Sequence, residues 1–301
     1  MAWLRTWISK ALEDQGVLGR EMKAALGRMG FLSGPLKHAR PFLAIIYRWT
    51  AHLGQGAFVK IPLAVQLTMR YFLAAVEAKP VRPPKSLPRV GGEIFRVDAK
   101  ADKGLVSIGG WESFGGTTPD RARWFSVVLD RSNAPWIFVK GEPFKLIAAL
   151  ELLAITVAVM IFGPGAPWQD HAGRSVLTAY TDNLVNSYVL DRFMSTSFPL
   201  SVVLMELAMQ MQLMQLEMEL QWIPREQNVE ADALTNLEFE AFDPSKRIAV
   251  QLENLDFRIL PELMQLAAKV DEEIVLKKSS KEKEKPAKPD PSKKLRVSQP
   301  W

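Results

Sequence analysis

The stretch from Trp222 to Asn236, WIPREQNVEADALTN, joins the end of a strand, a proline turn and a helix start, and sets Asp232 in the first turn of that helix. Ahead of it, LEMELQW alternates Leu216, Met218, Leu220 and Trp222 with Glu217, Glu219 and Gln221, the period of a strand with one buried face. Pro224 ends the strand. Asn228 is placed to cap a helix over Val229 to Leu237, whose dipole favours Glu230 and Asp232 near its start. One acid in that position needs no more explanation than a well-capped surface helix. Chemistry requires that other acids meet it.

Three others stand at element positions from which they can. GGEIFRVDAKADKGLVSIGGW reads as a strand ending near Asp98, a short turn and a second strand, a hairpin with an acid at its rim. RSVLTAYTDN is an apolar strand running into Asp182 and Asn183, ahead of a periodic segment from Leu184 to Phe193. Strand-end acids followed by helices point into a common crevice in α/β sheets. Between these lies KLIAALELLAITVAVMIFG, apolar enough to suggest a membrane span until Glu151 is noticed in its first third. An ionised carboxylate on a buried helix is costly unless it is hydrogen-bonded, paired or bound to a metal. A core helix packed on a sheet fits this stretch better than a membrane segment does.

The elements that must position these acids therefore run in the order strand with Asp98, strand, strand (Trp124 to Leu129, with Trp136 to Val139 a further candidate), helix with Glu151, strand with Asp182, helices, strand, helix with Asp232. This succession resembles the ribonuclease H fold, and its wording is similar to the version attached to reverse transcriptases of retrotransposons, particularly the DIRS-like group. That family has a first-strand DAS-type motif, a helical LEL motif, a strand-end TDN and a closing PG-x-x-N-x-x-AD-x-LS-R motif. The matching text here is VDAKADKG, ALELLA, YTDN and IPREQNVEADALTN.

The resemblance implies an α/β fold, a ribonuclease H-like mixed five-stranded sheet flanked by helices, preceded by a small helical thumb-like domain. It also implies a metal-dependent endonuclease that cuts the RNA strand of RNA–DNA hybrids, with Asp98, Glu151, Asp182 and Asp232 as catalytic carboxylates and metal ligands. By resemblance Asp98 bridges two ions, Glu151 and Asp182 hold the ion that activates water, and Asp232 is a looser ligand of the other. Two hard divalent ions about 3.5–4 Å apart stabilise the attacking water and the leaving oxygen of a phosphodiester, and carboxylates balance their charge. Oxygen donors favour Mg2+ or Mn2+ over zinc, and the chain has no cysteine. Asn183 and Asn228, beside the acids, are the candidate nucleic-acid contacts.

The sequence departs from the family pattern in several places. The glycine expected after Pro224 is Arg225, and the closing serine and arginine are Thr235 and Asn236, which reads as peripheral to metal binding. A histidine often found near the last carboxylate is missing, since the three histidines are His38, His52 and His171, and its loss implies slow turnover. Asp102, close to Asp98, competes with it as a ligand candidate. MKAALGRMGFLSGPLKHARPFLAIIYRWT is similar to the segment after the polymerase palm of such retroelements, yet the polymerase's paired-aspartate motif is absent. The missing polymerase portion is then a candidate partner, and the alternative to an enzyme is a weak or inactive remnant that binds nucleic acid.

Charge gives an independent line on the partner. Residues 1–90 carry 14 Lys and Arg against 4 Asp and Glu, residues 91–275 carry 15 against 26, and residues 276–301 carry 9 against 3. Basic flanks around an acidic middle suit a protein that grips phosphate backbone outside a metal-seeking centre. Organisation follows the same division: a helical segment 1–78 broken at Gly16, Gly19, Gly27, Gly30 and Gly34, a Pro-rich linker 79–92, a ribonuclease H-like domain 93–241, an extension 242–275 with a short strand RIAVQL and a helix, and a basic tail 276–301 expected to be disordered from Lys277. The methionines from Met205 to Met218 read as adaptable core filling, and Trp3 and Trp7 on an opening amphipathic turn as packing lost with a missing domain rather than as a membrane contact. MAWLRTWISKALEDQ is charged too early for a signal peptide. Localisation is open between nucleus and cytoplasm.

Overall fold

The computed structural model describes residues 2–54, 56–78, 89–102, 104–139, 141–163 and 175–283. Apolar runs, some alternating and some continuous, produce the strands: β3 (Arg89–Asp102), β4 (Leu105–Glu112), β5 (Trp124–Val128), β6 (Ser175–Thr181) and β7 (Leu216–Trp222). Among the described residues these form a five-stranded mixed sheet in the order β5-β4-β3-β6-β7. The first three pair antiparallel, and β6 adds to β3, and β7 to β6, in parallel. Parallel neighbours need crossovers, and the long helices supply them. Helix α5 (Ile147–Phe162) follows β5, while α6 (Leu184–Arg192) and α7 (Leu200–Leu213) join β6 to β7.

The two faces of the sheet meet different apolar clusters. Phe95, Val97 and Ala99 join the large core that holds α5 and α7, including Met205 and Met211, both fully buried. On the other face a smaller cluster collects Trp111, Trp124 and Phe242 with Ala231 and Leu234 of α8 (Val229–Thr235). Period two in a strand therefore sends Asp98, between Val97 and Ala99, toward α8. The apolar stretch around Glu151 is long enough by length and composition to cross a membrane, but α5 is buried in this core from Ala149 to Val159.

The N-terminal region contains α1 (Ala2–Glu13), α2 (Gly19–Leu32), α3 (Leu43–Thr50) and α4 (Leu63–Glu77). It also has a small sheet that helical periodicity did not announce: β1 (Gly16–Leu18) pairs antiparallel with β2 (Phe58–Lys60). Gly27 and Gly30 do not break a helix but lie within α2, and Gly30 lets the Tyr47 hydroxyl approach, since a Cβ there would sit 2.6 Å from it. At the C-terminus, α9 (Leu260–Lys283) packs on α7, α4 and α3. Its first turn is tied down by Glu206 of α7, which is fully buried and accepts the backbone N–H groups of Arg258, Ile259 and Leu260.

Several local expectations are corrected. Residues 89–92 of the expected linker belong to β3, and the helix continues through Lys283 where disorder was expected from Lys277; residues 79–88 and 284–301 lie outside the described residues. Trp136 to Val139 is not a strand, because Pro135 starts a 3-10 turn over Pro135–Ile137. RIAVQL makes only an isolated bridge, Arg247 with Trp124, alongside the edge of β5. Trp3 is half exposed, stacked on Trp7 at 6.1 Å with the Arg28 guanidinium 3.9 Å from its ring centre, so its cover comes from within the chain.

Candidate metal centre

Asp98 does not stand at a hairpin rim. Apolar alternation carries β3 on to Asp102 and the turn at Gly104, so Asp98 lies mid-strand, paired with Gly109 of β4 and only 6% exposed. Gly109 is what brings α8 onto this point: a Cβ there would lie 2.8 Å from the Leu234 Cβ. With the helix this close, the Thr235 hydroxyl reaches 2.7 Å from Asp98 Oδ2 and 2.9 Å from the Asp232 carbonyl. Asp102, four residues along the same strand and about 13 Å away at strand rise, is exposed and outside the acidic group.

Asp182 arrives from the neighbouring strand. Arg96 pairs with Tyr180 in the parallel β3–β6 ladder, so two residues further Asp98 and Asp182 come level. Trp222 was expected on the buried face of β7; it is instead 48% exposed, and its Nε1–H donates to the Asp182 carbonyl at 2.9 Å, fixing the backbone beyond β6. Glu151, 5% exposed near the start of α5, has its Oε2 3.3 Å from the Thr181 hydroxyl. One oxygen from each of Asp98, Glu151 and Asp182 lies within 4.8 Å of the others. The expected convergence of these three is present.

Crowding three carboxylates under cover is unfavourable in the absence of a cation. Burial is the first cause that pushes Asp98 up to about 7 from 3.8, with the charges of Asp182 and Asp232 adding to it and the Thr235 hydrogen bond opposing. Glu151 is raised well above the ordinary glutamate range, again by burial first and then by Asp98 and Asp182, against hydrogen bonds from Thr181 and Asn183. Asp182 is raised by burial, while Arg225 and Asn228 pull it down. Asp182 Oδ1 is buried with no hydrogen-bond partner. Three oxygen donors within a few ångströms, one of them orphaned, match the donor set of a hard divalent ion such as Mg2+ or Mn2+.

Asp232 joins differently. It is outside the triad, with one carboxylate oxygen paired to the Arg225 guanidinium and the other accepting from Asn236 Nδ2 at 2.7 Å. Lys100 in turn holds Asn236 Oδ1. Arg225 and Asn236, read from the sequence as peripheral departures, thus engage both oxygens of the fourth acid.

Neither asparagine has the surroundings expected of it. Asn183 caps α6, accepting from the backbone N–H groups of Val185 and Asn186. Asn228 makes no cap at α8. It is fully buried, its Nδ2 donates to the Val97 carbonyl at 3.0 Å, and its Oδ1 has no partner, so it braces the strand carrying Asp98 from inside the fold rather than from a substrate-facing surface. His38 is buried against Glu217, and His171 lies outside the described residues. Sequence reasoning missed Thr181, Thr235, Trp222 and Arg96 as positioning groups. Arg96 holds Glu93, the Gln227 carbonyl and Glu230, and so pins the turn before α8.

No protein-family model and no curated protein matches the chain. Among solved structures it is similar to the RNase H1 from the halophilic archaeon Halobacterium salinarum NRC-1, at 16% identity and a TM-score of 0.29, covering 49% of this chain and 97% of that one.

Proposed function

We propose that the chain is a metal-dependent ribonuclease H-like endonuclease that cuts the RNA strand of RNA–DNA hybrids. The observation that supports it most is the meeting of Asp98, Glu151 and Asp182, from a central strand, a core helix and a strand end, around an unpartnered buried carboxylate oxygen. These residues would hold Mg2+ or Mn2+, with Asp232 beside them. Divalent-ion charge there would activate water and stabilise the leaving oxygen of a phosphodiester.

The chain's own groups prepare that chemistry. Thr235 holds one Asp98 oxygen. Thr181 and Asn183 orient Glu151, and Trp222 fixes the Asp182 backbone. Hybrid would be sensed through 2′-hydroxyls across a shallow minor groove, without reading sequence, and the basic flanks would add affinity for phosphate backbone. In this reading the unit derives from a DIRS-like retrotransposon reverse transcriptase, residues 1–78 correspond to its thumb-like part, and the polymerase portion is a partner. The loop before α8 holds no histidine to assist product release.

The test is cleavage of strand-labelled RNA–DNA hybrid against matching duplex DNA, in magnesium and in manganese, alongside Asp182→Asn. Hybrid-specific cutting that disappears in the variant supports the enzyme. A second reading, a nucleic-acid-binding protein of little activity, is favoured by the occupied state of Asp232. Binding of hybrid without cutting in either metal would establish it.

A further inference from the structure

Arg225 stands where the resembling family has a glycine, and its guanidinium pairs with Asp232, the one acid of the four that does not join the triad. Its placement is built. A 3-10 turn over Arg225–Gln227 is fastened by Arg96 to the Gln227 carbonyl, and the charges of Asp98 and Asp182 also act on Arg225. The opposite oxygen of Asp232 is held by Asn236, itself held by Lys100. Both Asp232 oxygens are therefore already engaged, whereas Asp182 retains a buried one without a partner.

A guanidinium stays charged at any accessible pH and pairs with carboxylates through a rigid fork. Beside the triad it supplies a fixed positive charge on the side of Asp232. A divalent ion bound by Asp98, Glu151 and Asp182 gains from the triad. One approaching Asp232 must displace Arg225 or sit against a like charge. We propose that this is a single-ion centre, in which the Arg225 side chain takes the place of a second divalent cation. This rests on the triad as a metal site.

Titration of the full chain with Mn2+, followed by calorimetry and by the electron paramagnetic resonance signal of free Mn2+, counts ions without reference to activity. Wild type is expected to bind one ion per chain. Arg225→Ala is expected to bind two, the second at least tenfold tighter than any second ion in wild type, and Arg225→Lys to remain at one. Adding Asp232→Asn to Arg225→Ala should return the count to one. The side chain of Arg225 is 73% exposed, so its replacement leaves the core intact, which thermal melts verify. Equal counts in wild type and Arg225→Ala, whether one or two, would overturn this inference and leave the triad standing. No ion in any of them would overturn both.

Discussion

Replacing Asp98 with asparagine removes one buried negative charge and keeps the shape of the side chain, and the structure sets the size and sign of the effect. In the metal-free protein the Asp98 carboxyl is pushed up to about 7, chiefly by burial, against 3.8 for the unfolded chain. A group whose folded pKa is raised contributes stability that is fully present below the unfolded value and is lost as pH rises through the folded one. The window for Asp98 therefore runs from about pH 4 to about pH 7. Three pH units at about 1.4 kcal/mol each set a ceiling of about 4 kcal/mol lost by pH 8. Because Asp98 and Glu151 lie in one cluster, the loss belongs to their joint titration. Asp98→Asn escapes it, relieves Asp182 and Asp232 of a like charge, and still accepts from Thr235. The new amide N–H2 must find partners, which lowers the gain. A gain of about 2 kcal/mol would raise Tm by roughly 4–8 °C. The assay is thermal melting of both proteins in chelator across pH 4–8, with the difference near zero at pH 4 and growing to its full value above pH 7. Magnesium should reverse the order, since a ligand at a hundred times its Kd stabilises by about 2.7 kcal/mol and Asp98→Asn forfeits that site. A pH-independent difference, or a variant less stable than wild type at pH 8 without metal, would refute the electrostatic account.

Further outcomes follow from particular contacts. Gly109→Ala sets a Cβ against Leu234 and lifts α8 from the sheet, so it should cost about 1–3 kcal/mol and weaken Mn2+ binding by loosening Thr235 on Asp98, read by denaturation and by metal titration. Glu206→Gln turns an N–H2 toward backbone donors of residues 258–260; a loss of about 2–3 kcal/mol should come with faster hydrogen exchange at the start of α9. Asn183→Ala removes the α6 cap and should cost about 1 kcal/mol, while leaving the exchange of residues around Val97 unchanged, which Asn228→Ala should accelerate.

Much of the sheet was legible because its signal is local. LEMELQW and the apolar run into Asp182 each carry their period within a few residues, and β7 and β6 form where they read. Glu151 announced itself by cost, a carboxylate amid α5, whose neighbours have no polar partner to offer it. What was not legible depends on partners distant in sequence. β1 and β2 are three residues each and some forty residues apart, too short to show a period. Asp98 read as a rim residue because its pairing with Gly109 and the descent of α8 onto that glycine are tertiary facts. Asn228 has the composition of a cap, but burial beside Val97 overrides local preference. Arg225 looked peripheral because a motif aligns positions, while a long side chain acts at its tip, here on Asp232.

The central claim, that Asp98, Glu151 and Asp182 make a divalent-cation site, is tested most directly by anomalous diffraction at the manganese edge from crystals soaked in Mn2+. A peak in contact with the oxygens of all three side chains, absent in Glu151→Gln crystals, is the predicted result. Fully soaked crystals without density among these oxygens, or with the same peak in the variant, would contradict it.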